Sequence, residues 1–306
     1  TVKRLSLWWR ALRPFSLTVS FLPPLLGGAL ALLLGRPVSP LTLSLTLIGC
    51  MAAHGASNLI SDYYDFVKRV DRPGTYGSSG LLVAGLVKPG AFLAGGGFLG
   101  ALAGAIGLFF LFTRPGTWPM VGVILLGGLL GLLYTAPPLE LKYHAWGDVA
   151  VFLAFGPLMM LGTLWVHTGT LEPLAFWASL PPAFLVDAIL HSNNLRDRES
   201  DGVAGIETFA MKLGLRGSKL FYLLLIVFSY LSILLLVSTG TLPWLVLLPL
   251  LSLPLAVKCV RKVWFKEFYP PEAFALIDGE TAGLHLCFGL LYLLGLLLSL
   301  LPGGGR

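Results

Sequence analysis

The chain has 306 residues, 56% of them hydrophobic and 12% charged, with a net charge of +6 and a mean hydropathy of +0.83. Apolar runs of about eighteen residues or more recur from Phe15 to Leu301, which excludes a soluble globular domain and points to an all-α, polytopic membrane protein. The positive balance is not the footprint of a nucleic-acid binder, because no solvated basic domain accompanies it.

In chain order, the basic stretch from Lys3 to Arg13 precedes an apolar run at 15–35. That run is long and followed by others, so it reads as a first transmembrane helix rather than a cleaved signal. Further spans are expected at 40–65, 89–113, 118–136, 146–167, 173–194, 217–239, 241–262 and 274–301, about nine in all around a central cavity, forming one domain over 1–306. Gly95, Gly96, Gly97, Gly100 and Gly104 in the third span suggest close helix packing. Cys50, Cys259 and Cys287 lie in or beside apolar stretches without C-x-x-C spacing and read as core residues, not as a disulfide or zinc framework. Alternating the loops across the bilayer puts 18 of the 21 Lys and Arg on one side. The N-terminus and the loops at 66–88 and 195–216 are therefore expected in the cytoplasm, as caps over a site in the inner cell membrane, with the C-terminus opposite.

Against this apolar background, seven of the fifteen carboxylates fall in two segments and their C-terminal flanks: Asn58-Leu-Ile-Ser-Asp62-Tyr-Tyr-Asp65 with Asp71, and Asn193-Asn-Leu-Arg-Asp197-Arg-Glu-Ser-Asp201 with Glu207. Carboxylates beside a bilayer are costly unless compensated, so their clustering marks a site. On a helix, His54, Asn58, Asp62 and Asp65 share one face, and Asp187, His191, Asn194, Asp197 and Asp201 share another. The Asn-x-x-x-Asp spacing of Asn58 and Asp62 recurs at Asn193 and Asp197, about 135 residues on, as two related halves would give. Two such faces suit hard divalent cations, and these in turn hold phosphate oxygens. A lone helix-end carboxylate is usually just solvated. Asp71 either extends the cluster or solvates the turn before Pro73. His54 and His191 lack ligand spacing and read as hydrogen-bonding groups, and Asp187, well inside its span, needs a partner such as His191.

A phosphate ligand also needs fixed positive charge. Lys68, Arg69 and Arg72 follow the first motif, Arg196 and Arg198 interleave the second, and Tyr134 and Lys142 frame the intervening loop Tyr134-Thr-Ala-Pro-Pro-Leu-Glu-Leu-Lys142-Tyr143. Cations alternating with carboxylates suit a diphosphate bridged by Mg²⁺, although positive-inside loops are basic in any case. Gly74-Thr-Tyr-Gly-Ser-Ser-Gly80 lacks the lysine of a P-loop and reads as a mobile cap. An ion-coupled carrier also buries carboxylates, but typically near the midplane at broken helices, whereas most of these lie at span ends among arginines.

The paired Asn/Asp motifs, the nine spans and the Tyr-Thr-x-Pro-Pro-x-x-x-Lys-Tyr loop resemble the UbiA superfamily of intramembrane prenyltransferases. Within it, Leu12–Gly28, Asp62–Asp71, Gly147–Pro157 and Asn193–Asp201 resemble the 1,4-dihydroxy-2-naphthoate polyprenyltransferases of the menaquinone branch. Ser61, Asp148 and Ile206 stand where that branch more often has Asn, Glu and Lys. The resemblance implies Mg²⁺-dependent transfer of a polyprenyl group from its diphosphate to an aromatic acceptor, inside the lipid bilayer. It also implies one Mg²⁺ on Asp62 and Asp65, another on Asp197 and Asp201, support from Asn58 and Asn193 or Asn194, and diphosphate contacts from Tyr134, Lys142 and nearby arginines such as Arg196. Homogentisate and 4-hydroxybenzoate are the alternative acceptors.

Overall fold

The computed structural model describes residues 2–302, with side chains from Leu5 onward; Thr1 and Arg306, expected on opposite sides of the membrane, lie outside them. Among the described residues the chain is all-helical apart from one isolated bridge, between His144 and Glu207. The helices are α1 (Val2–Ala11), α2 (Thr18–Leu33), α3 (Pro40–Val67), α4 (Pro89–Thr113), α5 (Thr117–Leu132), α6 (Gly147–Leu153), α7 (Met159–Thr168), α8 (Pro173–Ala204), α9 (Phe209–Ser238), α10 (Leu253–Trp264), α11 (Pro271–Phe274) and α12 (Ile277–Leu298).

Among the described residues, seven helical segments are long and apolar enough to cross a membrane: Pro40–Val67, Pro89–Thr113, Gly147–Thr168, Pro173–Ala204, Phe209–Ser238, Trp244–Trp264 and Pro271–Leu298. The expected spans at 15–35 and 118–136 become α2 and α5, of 16 residues each, shorter than the roughly 20 a full crossing takes. The chain punctuates them: α2 is followed by Gly35 at φ +71° and α5 is preceded by Gly116 at φ +69°. The span at 146–167 is continuous but passes through a π-helical turn at Ala154–Leu158 containing Pro157.

The core lies where α2, α7, α8, α9 and α12 meet, with Leu26, Leu30, Met160, Leu164, Leu185, Tyr222, Phe288 and Tyr292 buried together. α4 and α5 are apolar all round yet leave Phe98, Phe112 and Trp118 exposed, as helices facing lipid do. Pro181 and Pro182 sit inside α8. Pro182 cannot bond the Ala178 carbonyl, and Tyr292 Oη donates to that oxygen instead, at 3.2 Å; buried tyrosines of this kind let a membrane helix keep a proline.

The segment 195–216, expected as a loop, is mostly helix. The polar run from Asn193 to Asp201 contains no Pro or Gly, so α8 continues through it and stops at Gly205, φ +74°, the usual left-handed C-terminal stop. A turn of four residues leads into α9, whose first turns are broken at Gly214. After α3, the connection at 68–88 folds back so that Leu81 and Leu82 pack with Ala11, Leu59 and Phe92.

Candidate active site

The two acidic motifs end up at one end of the bundle. Asp62 and Asp65 lie in the last turns of α3, Asp197 and Asp201 in the last turns of α8, and all four side chains are buried. The 72–80 loop joins them. Ser79 donates from its backbone N at 3.0 Å and from Oγ at 2.6 Å to Asp62 Oδ2. Two residues earlier, a Cβ on Gly77 would stand 3.2 Å from Asp197 Oδ2. Gly77, at φ +92°, adopts a conformation that other residues rarely take, and it brings the backbone against the second motif. Since two residues span at most about 7 Å, the facing carboxylates are within roughly 13 Å of each other.

Each motif carries its own cations. Arg13 pairs with Asp62 Oδ1. Asp65 accepts from Lys142 Nζ at 2.6 Å, Tyr143 Oη at 2.8 Å and Ser61 Oγ at 3.3 Å. Arg196 forks onto Asp197 through Nε and Nη2, both at 2.8 Å, and also holds Asn193 Oδ1 at 2.8 Å and Asp278 Oδ2 at 2.7 Å. Among the described residues, none donates a side-chain hydrogen bond to Asp201, which lies within electrostatic reach of Lys142, Asp197, Asp65 and Arg196.

The loop groups show what this crowding does. Burial pulls the Lys142 ammonium down, but the adjacent Asp65 outweighs it and holds it firmly charged. Burial, then the charge of Asp65, raises the Asp71 carboxyl above its ordinary value, while Lys142 pulls it down. Burial also raises the Tyr134 phenol, against the pull of Lys142; its oxygen lies 3.5 Å from where a Cβ on Gly147 would stand.

The other expected site residues sit differently. Asn58 donates to Leu12 O at 3.1 Å and Ser16 Oγ at 3.2 Å, tying α3 to the segment before α2 rather than turning to the carboxylates. Asn194 donates to Asp148 Oδ2 at 3.3 Å. Lys68 pairs with Glu140 at 2.5 Å and lies over the Tyr143 ring, on the rim. Arg69 is exposed, and Arg72 bonds the Ser200 carbonyl at 2.9 Å, fastening the loop to α8. His191 takes Asp148 as its partner, not Asp187, because α6 presents Asp148 to that face of α8. Ile206 packs against Val70 and Tyr143, so the position where Lys is common is here an apolar prop.

Four groups were not named as site residues from the sequence: Arg13, Ser79, Tyr143 and Asp278. Ser79 and Tyr143 lay inside segments singled out there, and Asp278, a carboxylate in an apolar span, carried a signal that could have flagged it. The donors are hard carboxylate oxygens, which suit Mg²⁺. Among the described residues, however, no three Asp, Glu, His or Cys side chains converge on one point. Holding such an ion would require Asp62 and Asp65 to exchange Arg13, Ser79 and Lys142 for it. The cavity of about 380 Å³ lined by Ile226, Tyr230, Val257 and Arg261 lies between α9 and α10, apart from these carboxylates.

Known proteins share this architecture. Residues 21–275 match the profile of the UbiA prenyltransferase family. The chain is 36% identical over 292 residues to UbiA prenyltransferase domain-containing protein 1 of Danio rerio, covering 94% of this chain and 83% of that protein. Against the Homo sapiens protein of the same name the identity is 33% over 294 residues, covering 96% and 83%. The fold is similar to that of a UbiA homolog from Aeropyrum pernix K1, with a TM-score of 0.68 at 15% identity, covering 94% of this chain and 97% of that one. It is also similar to a UbiA homolog from Archaeoglobus fulgidus bound to DMAPP and Mg²⁺, with a TM-score of 0.60 at 17% identity and coverage of 93% and 98%.

Proposed function

The chain belongs to the UbiA prenyltransferase family, and we propose that this prenyltransferase transfers a polyprenyl group from polyprenyl diphosphate to 1,4-dihydroxy-2-naphthoate, a reaction of menaquinone biosynthesis. The observation that carries the reading is the pairing of three buried aspartates, Asp62, Asp65 and Asp197, with Arg13, Lys142 and Arg196, beside a fourth buried aspartate, Asp201, at one end of a membrane bundle and under a loop that touches both motifs. Such alternation of charge suits a metal-bridged diphosphate.

Asp62, Asp65, Asp197 and Asp201 would hold Mg²⁺, as the ligand of the Archaeoglobus relative suggests. When bound, Mg²⁺ neutralises charge on the departing diphosphate. Lys142 and Arg196 bind diphosphate oxygens, with Tyr134 beside them, while Asn193 orients Arg196. Lys68, Arg69, Arg72 and Asn58 play outer roles, anchoring loops or drawing the anion in. The 68–88 connection and the end of α8 cover the site and exclude water from the allylic carbocation-like centre. The whole chain acts as one domain, with these elements on the cytoplasmic side of the cell membrane.

The acceptor is tested by competition. Equal concentrations of the naphthoate, homogentisate and 4-hydroxybenzoate are offered with a prenyl diphosphate, and products are read by mass. A prenylated, decarboxylated naphthoate should dominate; preferential use of either monocyclic acid overturns the acceptor and leaves the prenyltransferase standing.

A further inference from the structure

Deeper in α8 than the carboxylates lies a second polar cluster that the diphosphate chemistry does not use. Asp148, in the first turn of α6, is 3% exposed; His191 is 0% and Asp187 4%. His191 Nδ1 meets Asp148 Oδ1 at 2.8 Å and Asn194 Nδ2 donates to Asp148 Oδ2 at 3.3 Å. With Asp148 accepting both bonds, the imidazole donates from Nδ1 and Nε2 keeps its lone pair. That Nε2 is buried without a partner, and so is Asp187 Oδ1. Asp187 and His191 are spaced i, i+4, on one face of α8. Two orphaned polar atoms on one buried face call for a ligand group.

Position and walls say which ligand. His191 is six residues before Asp197, about 9 Å lower along the helix, and Asp187 about 15 Å lower. Asp148 follows Lys142 by six residues, and Gly147 lies against Tyr134. The cluster therefore begins about 9 Å beneath the diphosphate end, a separation that a hydrogen bond, an aromatic ring and the allylic carbon together can bridge. Phe221, with its centroid 4.8 Å from that of His191, and Phe209, at 6.3 Å, wall the imidazole edge-on. An apolar aromatic wall beside a lone pair and a carboxylate oxygen fits a ring bearing a hydroxyl better than an ion.

We infer that His191, oriented by Asp148 and assisted by Asp187, forms the subsite that seats and deprotonates a ring hydroxyl of the aromatic acceptor. This rests on the prenyl-transfer reading above. The phenolic O–H bond breaks and its proton passes to Nε2, giving an imidazolium stabilised by Asp148. The freed electron pair feeds the ring, whose carbon bonds to the allylic carbon as the C–O bond to diphosphate breaks and takes its pair onto the leaving group. Loss of the ring substituent at that carbon, as a proton or as CO₂, then restores aromaticity.

The test uses the full chain in lipid nanodiscs, as wild type, His191→Gln, Asp148→Asn and the near-isosteric Asp187→Asn. Turnover is measured with the best acceptor and with its O-methyl ethers, and binding of 1,4-dihydroxy-2-naphthoate alone is measured by calorimetry. Expected are naphthoate binding weaker by about tenfold in His191→Gln, the loss of one buried hydrogen bond, an unchanged KM for prenyl diphosphate, and collapse of the wild-type preference for free hydroxyl over ether. Equal loss toward both substrates, or no preference between phenol and ether in the wild type, would make the cluster a helix tie or a buried-water site and overturn the subsite. If the wild type releases no diphosphate with any aromatic acceptor, the proposed function falls. The binding arm still decides the subsite: unchanged naphthoate affinity in His191→Gln and Asp187→Asn rejects it, and weakened affinity supports it.

Discussion

Replacing Asp62 by Asn should do two separable things. Asp62 is 2% exposed and its two oxygens are fully spent, Oδ1 on Arg13 and Oδ2 on the backbone N and Oγ of Ser79. An amide keeps one acceptor oxygen and loses the charge, so either the arginine or the serine is abandoned. A hydrogen bond to a charged group contributes about 1.5–3 kcal/mol, and breaking a buried ion pair costs about 3–5 kcal/mol. Arg13 is 15% exposed and water recovers part of that, so about 3 kcal/mol is a fair value. The Ser79 bonds to the charged Asp62, about 1.5–3 kcal/mol, hold the 72–80 loop onto α3, and weakening them should raise the loop's opening equilibrium about 10- to 100-fold. Hydrogen exchange read by mass spectrometry on peptides covering 76–82 would report it directly. Prenyl transfer should fall by at least about 10²-fold in the same protein, because the remaining carboxylates would be one ligand short for the Mg²⁺ that neutralises the departing diphosphate. Unchanged protection of the loop would refute the anchoring role of Asp62, and near-normal turnover would refute its place in the site.

Lys142→Met should raise the KM for prenyl diphosphate about tenfold while leaving acceptor KM alone; steady-state kinetics in both substrates check this, and an equal rise in both would remove Lys142 from the diphosphate. EDTA should stop turnover and added Mg²⁺ restore it, whereas activity persisting after exhaustive chelation rules out a metal-held diphosphate. A Tyr76→Cys protein lacking Cys50, Cys259 and Cys287 should resist impermeant thiol reagents in intact cells and react after permeabilisation; labelling from outside inverts the orientation. Gly295→Ala, whose Cβ would collide with the Leu245 carbonyl, should cost about 1–3 kcal/mol and lower the Tm. Gly104→Ala, with nothing within 4 Å, should change stability by no more than about 1 kcal/mol, and equal effects would contradict the packing.

The sequence by itself determined the membrane class, the helical segments and the location of the carboxylates, because hydrophobic length and charge are local properties of the chain. Asp62, Asp65, Asp197 and Asp201 could be named before any fold was known, since carboxylates clustered beside an apolar span are too costly to keep there without something to compensate them. The absence of Pro and Gly from Asn193 to Asp201 was equally local, yet the polarity of that run suggested a loop where helix persists to Ala204; polarity reports solvent contact, not backbone conformation. Only tertiary structure decided which partner each charge takes. Arg13 lies 49 residues from Asp62, Lys142 lies 77 from Asp65 and Asp148 lies 43 from His191, and no periodicity encodes such pairings. They follow from how α3, α6 and α8 pack and from where Gly77 lets the loop turn back. Buried charges must find partners, so the fold, by setting who is near, assigns Asn58 to a helix tie, Lys68 to the rim and His191 to Asp148.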